Sequence, residues 1–209
     1  MDRLNTGNTV TLCGAVAAPP VFSHAIKDRH FYTFPLTVER LSGTEDKINI
    51  ICPQELLWTE IPENCTSLTV TGELRSHNNK TGIGNRLQIF VFAEELEFGN
   101  EEHSNRVCLT GALCKDPKPR VTPLGREICD LLLAVNRPMG RSDYLPCICW
   151  GKNARTAAGL SVGSCIHLDG RIQSRDYIKV LDGAQVTKTA FEISAMTLEV
   201  LDGDDCADC

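Results

Sequence analysis

The chain contains two versions of one segment. Asn8–Arg40 can be laid on Asn105–Arg137 at a constant offset of 97 without a gap. Ten of the 33 paired positions are identical: Asn8/Asn105, Val10/Val107, Leu12/Leu109, Gly14/Gly111, Ala15/Ala112, Pro20/Pro117, Arg29/Arg126, Leu36/Leu133, Val38/Val135 and Arg40/Arg137. The same offset pairs Cys52 with Cys149, and one residue more pairs Gly72–Ser76 with Gly170–Ser174. A repeat of this length can bury a core of its own, so it is a whole small domain and not a solenoid unit. The expected organisation is a first domain over 1–99, a linker from Gly99 to Ser104, a second domain over 105–201 and a short acidic tail, 202–209.

Both copies carry strand signals. Val10, Leu12 and Gly14, like Val107, Leu109 and Gly111, alternate with more polar neighbours, the pattern of a half-buried strand. Prolines then open a loop (Pro19-Pro20; Pro117 and Pro119), because proline removes a ladder donor. A second strand is expected over Phe31–Arg40 and Ile128–Arg137, and a third over Lys47–Cys52 and Tyr144–Trp150. One helical stretch follows in each copy, Pro53–Thr59 and Lys152–Ala158, the latter stopped by Gly159. Two further strands close each copy, Ser67–Arg75 with Arg86–Glu97 and Ser164–Ser174 with Thr187–Leu201.

The order β-β-β-α-β-β in about 95 residues, with a glycine in strand one, matches the OB-fold, a five-stranded Greek-key barrel whose open face and loops take oligonucleotides or oligosaccharides. The expected fold class is therefore all-β, two tandem OB-folds each with one short helix. A sandwich would share the strand content, but the helix at the same place in both copies favours the barrel.

Charge is divided between the copies. Net charge is −6 overall, yet residues 1–104 hold 8 basic and 14 acidic residues, residues 105–201 hold 13 and 9, and the tail adds four Asp. A basic domain thus lies between acidic ones, as for a nucleic-acid binder with one working face. No apolar run approaches the ~20 residues of a membrane span. The first residues lack a basic-then-apolar signal, so a cytoplasmic location is expected. With no secretion signal, the eleven cysteines are expected as free thiols, seven of them (Cys13, Cys52, Cys108, Cys114, Cys129, Cys147, Cys149) in or beside apolar strands. His167, between Ile166 and Leu168, is expected to point outward. No catalytic motif stands out, and neither an enzyme, a cofactor nor a metal is expected.

Binding of an unpaired strand needs cations along the phosphates and aromatic faces for the bases. The second copy has both. Tyr144 and Trp150 begin and end strand three, six residues apart and hence on one face of an unbulged strand. Tyr177 lies in the long final hairpin. The expected single-stranded-DNA site comprises Tyr144, Trp150, Tyr177, Arg106, Arg120, Arg126, Arg137, Lys152, Arg171, Arg175 and Lys179. In the first copy Lys47, Pro53 and Asn79 stand at or near the three aromatic positions, and Phe31 and Phe34 are expected in the core.

Five motifs in order, Asn105-Arg-Val-Cys-Leu-Thr-Gly111, Asp116-Pro-Lys-Pro-Arg120, Leu133-Ala-Val-Asn136, Cys149-Trp-Gly-Lys152 and Gly170-Arg-Ile-Gln-Ser-Arg175, make residues 105–200 resemble the bacterial single-stranded DNA-binding protein family. The resemblance implies stacking aromatics at Tyr144, Trp150 and Tyr177, and basic contacts at Arg120 and Lys152. It also implies sequence-tolerant binding in replication, recombination or repair, and a homodimer presenting four OB-folds. The chain departs from the family in three places: no Trp in the turn Pro138-Met-Gly-Arg141, an apolar Leu145 after Tyr144, and a tail without a terminal Phe, so recruitment of other proteins through the tail is not expected. Two other readings suit the sequence: an OB-fold protein-interaction (primosome-type) module with weak or no DNA binding, and a thiol or metal protein using Cys206 and Cys209. RNA is an alternative ligand.

Overall fold

The structure is a computed structural model. It describes residues 7–80, 85–137, 140–181 and 184–201, the side chains of 179–181 and 184 excepted. Two compact units form. An N-terminal unit comprises Thr9–Arg75 and Ile89–Arg106, and a C-terminal unit comprises Met1–Asn8, Ser76–Gln88 and Val107–Cys209.

The first copy contributes β1 (Asn8–Val16), β2 (Val21–Ile26), β3 (Arg29–Glu39), β4 (Glu45–Pro53), β5 (Ser67–Asn78) and β6 (Leu87–Gly99). Their hydrogen-bonded order is β2-β3-β4-β6-β5-β1, and β1 also pairs with β3, which closes a barrel. The second copy contributes β7 (Ser104–Leu113), β8 (Lys118–Val121), β9 (Glu127–Arg137), β10 (Arg141–Trp150), α1 (Gly151–Ala158), β11 (Cys165–Leu181) and β12 (Ala184–Leu201). These follow the order β7-β11-β12-β10-β9-β8, closed by β7 on β9. In both copies strands three and five run parallel, Ile50 opposite Val91 and Cys147 opposite Ile193, while β1–β5, β3–β4, β9–β10 and β11–β12 pair antiparallel. This is the OB-fold topology, twice.

Closure depends on a missing Cβ. A side chain on Gly14 would meet the Thr37 carbonyl oxygen at 2.2 Å, and one on Gly111 would meet that of Ala134 at 2.3 Å. Strand one can curl onto strand two only because nothing projects there. Inside, alternate residues make the core: Leu12, Leu36, Ile48, Ile50 and Leu68 in one copy, Leu109, Leu133, Leu145, Ile166 and Ile193 in the other, all essentially inaccessible. Phe31 and Phe34 are buried as expected.

A second device is repeated. Arg40 grips Asp46 through two hydrogen bonds of 2.6 and 2.5 Å, and Arg137 grips Asp143 in the same bidentate way. Both carboxylates are buried. Bidentate pairing of this kind is directional, and it pins the turn between strands two and three in each copy.

Three features differ from expectation. The proline-led loops contain short edge strands, β2 and β8, exposed along their whole length. Pro119 is tolerated in β8 because an edge strand need not donate on both sides. In the first copy the helical stretch shrinks to a single 3-10 turn, Gln54–Leu56. Gly151, at φ +53, turns the chain from β10 straight into α1, where Ala154 and Ala157 pack inward. At the matching position the first copy has Gln54, and its Trp58 instead lies edge-on between Phe34 and Phe98. Finally, Cys165 is disulfide-bonded, whereas eight other described cysteines are free, with Cys108 and Cys114 only half-buried. None of the described helices is long and apolar enough to cross a membrane.

Burial pushes the Cys52 thiol from 9.0 up to about 11. Burial, helped by the neighbouring Cys129, pushes Cys149 up to about 12. The folded state therefore holds protons that the unfolded chain releases, so the contribution of these two thiols to stability should be constant below about pH 9 and fall as pH rises from there toward 12, by up to ~1.4 kcal/mol per pH unit per group. Urea midpoints on the two sides of about pH 9 check this, with Cys149→Ala flattening the fall. Gly14→Ala should cost about 1–3 kcal/mol by overpacking, read as a lower urea midpoint, whereas Gly43→Ala, which meets nothing within 4 Å but sits at φ +78, tests the separate cost of backbone strain.

Candidate nucleic-acid interface

In β10, Asp143, Leu145, Cys147 and Cys149 face the core. The intervening residues Tyr144, Pro146, Ile148 and Trp150 therefore share the outer face. Tyr144 is 44% exposed and Trp150 36%. Trp150 is the N-cap of α1 and keeps an extended backbone (φ −122, ψ 144). Its indole Nε1 donates to Ser194 Oγ on β12 at 3.2 Å, which fixes the plane of the ring.

The ladder extends this face. Ile148 lies opposite Ser194, and Ser194 opposite Arg171 on β11. Moving along the hairpin, Gln173 faces Glu192, Arg175 faces Ala190 and Tyr177 faces Lys188. Ile172 and Ile193 point the other way, into the core. Arg171, Gln173, Arg175 and Tyr177 thus line one side of β11, Tyr177 about 20 Å beyond Arg171 at ~3.3 Å per residue. Tyr177 is half-buried and Arg175 exposed. The register brings all three aromatic residues to the outer side of β10, β12 and β11.

The cations divide by their partners. Arg120, on β8, makes two bonds to Asp130, at 2.5 and 3.0 Å. That hydrogen-bonded pair raises the Arg120 pKa further. Both side chains are more than a third exposed, and a surface pair of this kind contributes at most about 1 kcal/mol, so a phosphate can compete for the guanidinium. Arg175 lies 3.6 Å from Glu192, which also accepts from Gln173 at 2.9 Å. Lys152 is exposed in the first turn of α1, two residues after Trp150, and Arg126 is exposed in the β8–β9 turn. Arg137 is committed to the buried Asp143 and also donates to the Ser76 carbonyl at 3.3 Å. Arg106 is exposed on β7 within the N-terminal unit. The side chain of Lys179 lies outside the described residues.

Sequence reasoning missed Ser194, Gln173, Glu192 and Asp130. Ser194 and Glu192 sit between apolar residues in β12, and Gln173 follows Ile172 in β11, so alternation could have put them on the outer side. That Asp130 shares the Ile148 side follows only from the β9–β10 register. Beside Arg120, a groove of about 230 Å³ runs between β8 and α1, lined by Pro119, Val121, Ile128 and Ala154 among others. In the N-terminal unit, Lys47 is exposed and Pro53 buried. An exposed aromatic ring there is Phe22, edge-on to His30 and Tyr32.

Comparison with known proteins points one way. A single-stranded DNA-binding protein of Listeria innocua is 40% identical over 105 residues, 47% of this chain and 64% of the relative. That of Bacillus cereus is 38% identical over 105 residues, 47% of this chain and 60% of the relative. Single-stranded DNA-binding protein A of Bacillus subtilis is 40% identical over 80 residues, 35% of this chain and 46% of the relative. The chain therefore spans less than two thirds of the length of each. The crystal structure of the wild-type single-stranded DNA binding protein from Thermus aquaticus shares the fold over 93% of both chains, with a TM-score of 0.73 at 23% identity. Residues 104–201, just under half of the chain, match the model of the Single-strand binding protein family.

Proposed function

We propose that the chain binds single-stranded DNA with little sequence preference, chiefly through the second domain (105–201), in replication, recombination or repair. The observation that carries this reading is the shared, exposed side holding Tyr144 and Trp150, with Arg171, Arg175 and Tyr177 along the same ladder. Flat rings separated by cations suit bases alternating with phosphates.

The site residues take different parts. Trp150, Tyr144 and Tyr177 stack on bases. Arg120, Arg126, Lys152, Arg171, Arg175 and Lys179 follow the backbone. Arg137 acts through Asp143, holding the start of β10, and so positions Tyr144. Arg106 contributes long-range attraction. The domain over 1–99, with its acidic surplus, keeps DNA to one side and serves in assembly, a homodimer presenting four OB-folds. The protein works in the cytoplasm, as a binder and not as a catalyst.

Fluorescence titration with single-stranded DNA, duplex DNA and single-stranded RNA in parallel tests the proposal. Trp150 emission should quench on the single strand and stay unchanged with duplex. Equal response to duplex would overturn the reading, and preference for RNA would reassign the ligand. Affinity should fall with salt: six phosphate contacts give a slope of about −4.2 in log K against log salt, and a flat titration with poly-dT argues instead for a protein-interaction module. Trp150→Ala should weaken binding by about 1–3 kcal/mol, with Trp150→Phe recovering most of the loss.

A further inference from the structure

Away from the stacking aromatics, β7 and β11 bring three metal-binding side chains together. Asp169 lies opposite Cys108, and His167 opposite Thr110, in one antiparallel ladder. The donor atoms of Cys108, His167 and Asp169 all lie within 4.8 Å of one another. Cys108 Sγ is 3.7 Å from His167 Nε2, and Asp169 Oδ1 is 4.0 Å from the same nitrogen. A tetrahedral zinc with its usual bond lengths sets sulfur and nitrogen ligands ~3.6 Å apart. The Cys–His spacing is already that of an occupied site, and the Asp169 side chain, 57% exposed, has room to rotate in by the ~0.6 Å still needed toward the nitrogen and the ~1.2 Å at most toward the sulfur.

The surroundings point the same way. His167 Nδ1 lies 2.8 Å from Thr110 Oγ1. With the ring proton on Nδ1 donating there, the Nε2 lone pair faces Cys108 and Asp169. The Thr197 hydroxyl donates to Asp169 Oδ2 at 3.0 Å, which leaves Oδ1 turned toward the histidine. Each of these two ligands thus has a hydroxyl behind it that fixes its orientation, the arrangement that metal sites use to hold imidazole and carboxylate. The geometry differs from a thiol–imidazole–carboxylate catalytic relay, in which nucleophile and orienting acid use opposite ring nitrogens. Here both converge on Nε2, as they would around a shared cation.

We propose that Cys108, His167 and Asp169 bind a borderline divalent cation of the zinc class, through one thiolate, one imidazole and one carboxylate, with water in the fourth position. Sulfur and nitrogen donors disfavour magnesium and calcium. Binding displaces the thiol proton to solvent, so affinity rises with pH. The site lies wholly within the second copy and needs no bound DNA.

The full-length chain, reduced with a phosphine and stripped of metal, is titrated with Co²⁺ and then Zn²⁺. One Co²⁺ per chain should bind with a thiolate-to-cobalt charge-transfer band and visible bands of tetrahedral strength, all bleached by Zn²⁺. Cys108→Ser should abolish the charge-transfer band, and His167→Gln should abolish tetrahedral binding. Thr110→Val should keep the band but weaken affinity by about tenfold or more. Cys206→Ser/Cys209→Ser should change nothing. Circular dichroism confirms that each variant folds, and the surface change Asp169→Asn, expected to weaken affinity likewise, stands in for any that does not. Absence of the band in the wild-type chain, its survival in Cys108→Ser, or its loss in the Cys206/Cys209 variant overturns the proposal.

Discussion

Both barrels shut at a point where one backbone rests directly on another. The Thr37 carbonyl approaches Gly14, and the Ala134 carbonyl approaches Gly111, to distances that no side chain permits. Closure of this kind removes the open edge that a flat sheet would present to other chains. It also forces the curvature that splits each strand into an inward and an outward set of residues. The outward set in the second copy is the surface with Tyr144, Trp150 and the β11 cations; the inward set is a core of Leu, Ile, Val and Cys. The interface is therefore a consequence of how the sheet closes, and its rings are held by ladder hydrogen bonds, not by loops.

The acidic groups on that surface temper it. Asp130 occupies Arg120, and Glu192 lies between Arg175 and Gln173. They offset part of the repulsion among those cations. With them the surface is pre-arranged, and on the proposed reading a phosphate exchanges for a carboxylate as it binds. Such exchange would limit the affinity of any single contact and leave the proposed stacking rings to supply the rest.

Much of this was legible in the sequence, and the limits have physical causes. Alternation reports burial, so it located the strands that bury a face. It could not report β2 and β8, which bury nothing. The 97-residue offset carried the helix of the second copy onto the first, but a helix opening straight from a strand needs the φ +53 of Gly151, and Gln54 does not supply it. The even spacing of Tyr144 and Trp150 was enough to place them together. The partners of the cations were not visible, because a salt bridge across strands depends on register, and register is a property of the folded sheet. Arg137 illustrates this: on charge alone it resembles Arg171, yet a buried carboxylate holds it.

The Arg40–Asp46 and Arg137–Asp143 pairs survive in both halves of a chain whose surfaces have otherwise diverged. By locking the reversal before the third strand, each pair sets the parity of everything downstream. Residues beyond it can be exchanged without a slip that would turn the core outward. The same frame can thus carry Lys47 and Pro53 in one half and Tyr144 and Trp150 in the other. Duplication followed by drift at the outward positions would then yield one half that keeps its ligand and another released for different work, with neither losing its shape.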